Sequence, residues 1–248
     1  MAERFNFQTR PAQSGAQAGA MIDEGLRAYM LKVYNLMALG LAITGLAAFG
    51  TWQFAVDGGQ LTPFGVALYA SPLKWVVMLA PLAMVFFLSF RINRMSVSAA
   101  QTTFWVYAAL MGLSLSSIFL VFTGQSIVQT FFITAASFGA LSLYGYTTKR
   151  SLTAMGSFMI MGLFGLIIAS VVNIFLASSA LGFAISVLGV LIFAGLTAYD
   201  TQKIKEMYFE GDDTAVMGRK AIMGALTLYL DFVNLFMFML QFLGNRNN

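Results

Sequence analysis

The chain has 248 residues, of which 59% are hydrophobic and only 10% charged, far below the quarter that is charged in typical soluble domains. It contains neither Cys nor His, which excludes disulfides, thiolate or imidazole metal ligands and Ser-His-Asp triads. Most of the net charge of +4 lies in short segments between apolar runs, so it indicates membrane topology and not a nucleic-acid partner. We therefore expect an all-α integral membrane protein in a lipid bilayer, without a cofactor.

The first 28 residues are polar and have no apolar core, which predicts a flexible N-terminal tail and not a signal peptide. From residue 29 to residue 245, charge-free apolar runs are interrupted by turn residues and by clusters of Lys and Arg. Because a helix needs about 20 residues to cross the ~30 Å hydrocarbon layer, the longest runs must contain two helices each. The runs predict seven membrane spans, approximately at 32–56, 74–91, 98–123, 126–147, 152–177, 180–202 and 220–244.

The distribution of Lys and Arg predicts how these spans are oriented. With seven spans, twelve of the 14 Lys and Arg residues lie on the side of the N-terminal tail, and only Lys74 and Arg246 lie on the other side. Basic residues are enriched in the cytoplasmic segments of membrane proteins. We therefore expect the N-terminus in the cytoplasm and the C-terminus on the opposite side.

One carboxylate falls inside a predicted span. Asp231 lies about ten residues into the seventh span, which places it ~15 Å deep and near the middle of the bilayer. An acidic residue at that depth costs at least ~2.5 kcal/mol and normally faces protein or water. A functional role is therefore favoured over a purely structural hydrogen bond.

Five other polar residues are candidates for the same site. Asp200 ends the sixth span, where an ordinary interfacial residue is an equally good interpretation, although both Asp residues can enter one cavity that faces the cytoplasm. If they meet, two like charges in a low dielectric would share one proton, which makes a pH switch without histidine. Arg91 and Arg94 at the end of span two are either interfacial anchors or charge partners of the aspartates. The amides of Asn173 and Asn234 either form hydrogen bonds between helices or line a cavity.

The last two spans resemble a known family. Asp200-Thr201-Gln202, followed by Ile204 and Glu206, and the Leu-Tyr-Leu-Asp-Phe of residues 228–232 resemble the motifs of the Bax inhibitor, or transmembrane Bax inhibitor motif, family. The resemblance covers about residues 29–243. It implies a bundle whose last helix is surrounded by the other six. It also implies a pH-sensitive calcium leak controlled by two aspartates, which match Asp200 and Asp231.

The resemblance has further implications for regulation and location. An arginine of the second helix latches one aspartate in the family, which matches Arg91 or, alternatively, Arg94. Bacterial members are linked to a membrane-bound quality-control protease, and eukaryotic members to the suppression of cell death. The chain ends at Arg246-Asn247-Asn248 without the long basic tail of eukaryotic members, so we expect a bacterial inner-membrane protein.

Two functions remain open on these grounds. In the first, the two Asp side chains, which are oxygen ligands of the kind Ca²⁺ prefers, line a cation leak. In the second, the chain moves no ion and modulates a membrane protease or a cell-death or stress pathway through its surface. An intramembrane aspartyl protease fits poorly, because Asp231 follows Leu-Tyr-Leu and not Gly-x-Gly, and no Pro occurs after Pro81. We therefore expect no enzymatic activity.

Overall fold

The computed structural model describes residues 12–247, with side chains from Asp23 onward. Within that range seven helices are long and apolar enough to cross a membrane, which confirms the predicted all-α, seven-span class. Because the number of spans is odd, the first and last residues of the membrane domain lie on opposite sides of the bilayer. The cytoplasmic location of the N-terminus stays a prediction. The helices are α1 (Ala12–Ala55), α2 (Leu73–Arg91), α3 (Val97–Leu115), α4 (Gly124–Thr147), α5 (Thr153–Leu176), α6 (Ser179–Glu206) and α7 (Thr214–Leu243).

Short elements connect the long helices. After α1, a two-residue strand β1 (Val56–Asp57) pairs antiparallel with β2 (Gln60–Leu61), and two helical turns (Pro63–Gly65 and Val66–Ala70) lead into α2. A 3₁₀ turn (Ile92–Arg94) follows α2, and a short helix (Ile118–Val121) follows α3.

Two boundaries differ from the sequence prediction. The sequence predicts a flexible tail up to residue 28, but the structure has helix from Ala12 onward. Residues 1–11 of the predicted tail lie outside the described residues. Ala, the best helix former, is the commonest residue of this stretch, and Tyr29 packs against Tyr208 with ring centroids 5.7 Å apart. Helix α7 begins at Thr214 instead of residue 220, because hydrophobicity marks the membrane-embedded part of a helix and not its polar first turns.

Polar side chains cap several of the helices at their N-termini. The first backbone N–H groups of a helix have no partner within the helix, and leaving them bare near a bilayer is costly. The caps are Ser96 on α3, Thr123 on α4, Ser178 on α6 and Asp213 on α7, whose side-chain oxygens accept from the backbone N–H three residues later at distances of 2.7–3.3 Å. These residues fix where each helix starts.

Helix α7 is the central element of the bundle. It packs against α1, α3, α4 and α6, whereas α2 packs mainly on α3 and α5 mainly on α6. On α7 the fully buried Tyr229 is hydrogen-bonded through its hydroxyl to Thr44 on α1 at 2.6 Å. Its ring also meets Phe104 and Tyr107 of α3 edge to face, with centroids 5.8 and 5.5 Å away. These contacts join three helices at one point.

Small residues allow the closest helix contacts. A side chain at Gly145 of α4 would overlap the carbonyl oxygen of Ala198 on α6, and one at Gly112 of α3 would overlap the carbonyl oxygen of Thr44 on α1. Helices in lipid associate through close packing because lipid tails are as apolar as the helix surfaces. Glycine therefore fixes the spacing of both helix pairs.

We expect Gly145→Ala to lower the free energy of unfolding by about 1–3 kcal/mol, because the added methyl group forces α4 away from α6. The matched control is Gly139→Ala on the same helix, where a Cβ meets nothing within 4 Å. This control should be neutral or stabilising by up to ~1 kcal/mol, since Ala favours helix. Unfolding in detergent measures both, and equal effects of the two substitutions would contradict the packing argument.

Candidate functional site

The register between α6 and α7 decides how the two aspartates are placed. The helices run antiparallel, with Gly189 facing Phe238 near one end and Ile204 facing Gly224 near the other. This register puts Asp200 level with Thr227, one helical turn from Asp231. The lengths of the predicted spans alone leave open whether Asp231 lies too deep in the membrane to meet Asp200.

The directions of the two side chains bring the carboxyl groups closer together than the two Cα atoms. A Cα–Cβ bond tilts towards the N-terminus of its own helix. The side chain of Asp200 therefore points away from the α6–α7 loop. The side chain of Asp231, on the antiparallel helix α7, points towards that loop. The two carboxyl groups therefore approach each other and line one cavity.

Asp231 is enclosed by protein. Its side chain is 4% exposed, and its Oδ2 is buried with no hydrogen-bond partner among the described residues. Two ionised carboxylates can only accept hydrogen bonds, so a bond between Asp200 and Asp231 requires a proton on one of them. The pair can therefore exist in a protonated, hydrogen-bonded form and in a deprotonated form with two like charges in contact.

Both carboxyl groups open into a cavity of about 590 Å³ between α5, α6 and α7. The wall on α5 is almost wholly aliphatic, with Ser170 its single hydroxyl. The polar groups come mainly from α6 and α7: Tyr199, Asp200, Lys203, Thr227, Asp231 and Asn234. The cavity thus holds two carboxyl groups in surroundings that offer them little other solvation.

Lys203 is the other charged residue that lines this cavity. It lies one turn from Asp200, is exposed, and places its Nζ 5.9 Å from the centre of the Tyr199 ring. The one salt bridge of the described residues lies elsewhere, in the α6–α7 loop, where Lys220 pairs with Asp212 and donates to the carbonyl of Met207. In the part of the chain that the structure describes, no three acidic residues cluster as a metal site.

The four supporting residues named from the sequence lie at different places. Asn234 lines the cavity one turn beyond Asp231, and its Nδ2 donates to the carbonyl of Leu230 at 2.8 Å. Asn173 does not line it; its Oδ1 accepts from the N–H of Ser178 and closes the end of α5. Arg91 and Arg94 are exposed, and neither forms an ion pair within residues 12–247. The proposed latch stays a prediction.

Sequence reasoning missed what the two residues after Asp200 do. Thr201 is hydrogen-bonded to Ser142 of α4 at 2.9 Å. Gln202 is buried; its Oε1 accepts from the N–H of Leu152 and its Nε2 donates to the carbonyl of Arg150. The motif Asp-Thr-Gln therefore sends one side chain into the cavity and uses two to hold α6 against α4 and the α4–α5 loop. The one signal in the sequence is a Gln, with both a donor and an acceptor group, at the polar end of a span.

Comparison with known proteins agrees with this architecture. The family described as Inhibitor of apoptosis-promoting Bax1 matches residues 26–248. An uncharacterised protein of Rickettsia prowazekii is 52% identical over 228 residues, covering 91% of this chain and 93% of the relative. An uncharacterised protein of Caulobacter vibrioides is 48% identical, covering 93% of each chain.

A third relative carries a location in its name. The inner membrane protein YbhL of Escherichia coli is 45% identical over 225 residues, covering 90% of this chain and 93% of the relative. Together with seven apolar helices, this similarity identifies a multi-pass protein of the bacterial inner membrane. The chain belongs to the Bax inhibitor family, whose description is Inhibitor of apoptosis-promoting Bax1.

Proposed function

We propose that the chain is a pH-sensitive leak channel for cations, with Ca²⁺ as the permeating ion and Asp200 and Asp231 as its gating site. The observation that carries the proposal is the carboxyl pair in the cavity: Asp231 is buried, Asp200 is half-buried, and no donor among the described residues reaches Oδ2 of Asp231. A carboxylate at membrane depth is costly and marks ion or proton pathways in many transporters. The choice of Ca²⁺ comes from the family resemblance.

The pair supplies a physical route to pH sensitivity. Loss of the shared proton leaves two negative charges in a cavity of low dielectric, which attracts a cation that prefers oxygen ligands. Thr227 and Asn234 add neutral oxygen atoms nearby. Two carboxylates with so few further ligands fit an ion in passage better than a resident one, since bound Ca²⁺ takes about 6–8 oxygens. No bond is made or broken in this scheme, so we propose a channel and not an enzyme.

We expect purified protein in liposomes to pass Ca²⁺ at a rate that changes between about pH 6 and pH 8. Asp200→Asn and Asp231→Asn should flatten this dependence, and Asp231→Asn should lower the flux by about tenfold or more, since a charged partner contributes about 1.5–3 kcal/mol. The matched control is Asp57→Asn, an exposed carboxylate in the β1 strand outside the cavity. Dye-reported flux measures all four proteins.

The possible outcomes separate the two functions. Flux that retains its pH dependence in both cavity variants would remove the aspartates from the mechanism. Absence of flux at every pH would end the leak proposal, and the search would turn to a protein partner such as a membrane protease or a component of a stress pathway.

A stability measurement tests whether the pair only holds the bundle together. Asn has the shape of Asp without the charge, and no N–H group or hydroxyl group of the described residues donates to Oδ2 of Asp231. We expect Asp231→Asn to leave thermal stability in detergent unchanged or to raise it, by up to ~2 kcal/mol, because an incompletely paired buried charge is removed. A clear loss of stability would instead assign Asp231 a structural role.

A further inference from the structure

A long groove separates α1 from α4 on the face of α7 away from the carboxyl pair. Helix α1 packs on α3 and α7, and α4 packs on α6 and α7, but α1 and α4 stand apart. Three adjoining cavities of about 560, 430 and 280 Å³ fill the gap between them. Met37 and Phe138 line both the first and the second, and Gly45 lines both the second and the third.

The groove runs through most of the bilayer. Its wall on α1 extends from Arg27 to Ala48, a rise of ~31 Å, which matches the ~30 Å hydrocarbon thickness. Its wall on α4 extends in the opposite direction from Tyr146 to Ile127. The first cavity, from Arg27 to Met37, covers ~15 Å of α1, the depth of one leaflet.

Polar groups are concentrated at one end of the groove. Arg27 lines the first cavity, is exposed and forms no ion pair within residues 12–247. At the same end, the hydroxyl groups of Tyr34 and Ser142 are hydrogen-bonded across the gap. Lys205 donates to the carbonyl of Tyr146 and lies 5.5 Å from the centre of its ring. Apart from Thr44 in the third cavity, the rest of the lining is apolar or aromatic, so the groove suits a molecule with an anionic head and an apolar tail.

The chemistry of the first cavity favours a lipid as its occupant. Arg27 lies at one end of it, beside the hydroxyl groups of Tyr34 and Ser142, and the other lining residues are apolar or aromatic. A phospholipid combines an anionic phosphate with thin apolar acyl chains and is present throughout the bilayer.

We propose that this end of the groove binds an anionic phospholipid, with its phosphate at Arg27 and one acyl chain between α1 and α4 against Phe138. The lipid completes the bundle where two helices fail to meet. The proposal does not depend on ion conduction, since the groove meets α7 at Phe232, Val233 and Phe236 and the carboxyl cavity lies on another face of α7.

Glycines allow a test that fills the groove without disturbing the packing. A side chain at Gly139 of α4 meets nothing within 4 Å and projects into the first cavity. Gly165 of α5 is equally free of neighbours and lines no part of the groove. Gly139→Leu and Gly165→Leu are therefore a matched pair, and both replace Gly by a better helix former.

The proteins are reconstituted with equal amounts of phosphatidylglycerol and phosphatidylcholine, extracted in detergent, and analysed by native mass spectrometry for retained lipid. We expect wild type and Gly165→Leu to retain phosphatidylglycerol and Gly139→Leu to lose it. Arg27→Gln should reduce the preference for phosphatidylglycerol by about fivefold, the factor that ~1 kcal/mol per basic residue gives.

Retention of phosphatidylglycerol by Gly139→Leu at the wild-type level would overturn the binding site. An unchanged lipid preference in Arg27→Gln would overturn the anionic head group, and because Arg27 is exposed this variant tests the proposal even if Gly139→Leu fails to fold.

Discussion

A carboxylate near the middle of a bilayer persists only where protein surrounds it, and this constraint explains the position of α7. Lipid offers Asp231 no hydrogen bonds, so the helix that carries it must be covered by other helices. Four of them pack directly on α7, and the Tyr229 hydroxyl joins it to Thr44 of α1. The outer helices α2 and α5 need no such cover and present mostly apolar side chains to lipid.

The end of α6 shows how one short motif serves several contacts. Successive residues of a helix point about 100° apart, so three neighbours face three directions. Asp200 faces the cavity, Thr201 bonds to α4, and Gln202 holds the α4–α5 loop. The carboxylate in this motif is therefore held in place by the two residues that follow it, and a change at Thr201 or Gln202 alters the site without touching the cavity.

Two of the openings in the bundle differ in chemistry. The cavity between α5, α6 and α7 contains two carboxyl groups, and the groove between α1 and α4 contains a cation at one end of an apolar wall. Each arises because two helices pack on a common neighbour but not on each other. A cavity with two carboxyl groups suits a cation in passage, whereas an apolar groove with a cation at one end suits an anionic lipid.

The sequence by itself determined the number of helices, the class of the fold and the identity of the central carboxylate, because hydrophobic length and the cost of a charge in lipid are local properties. It located the span ends less well: α7 starts at Thr214 and not at residue 220, since polar first turns remain helical outside the hydrocarbon. Only the tertiary structure decided that Asp200 and Asp231 line one cavity, that Asn173 lies apart from them, and that α1 and α4 leave a groove. These facts depend on interhelical register, and register is fixed by close contacts such as Gly189 with Phe238 and Gly224 with Ile204. Such contacts join residues far apart along the chain, so no local pattern predicts them.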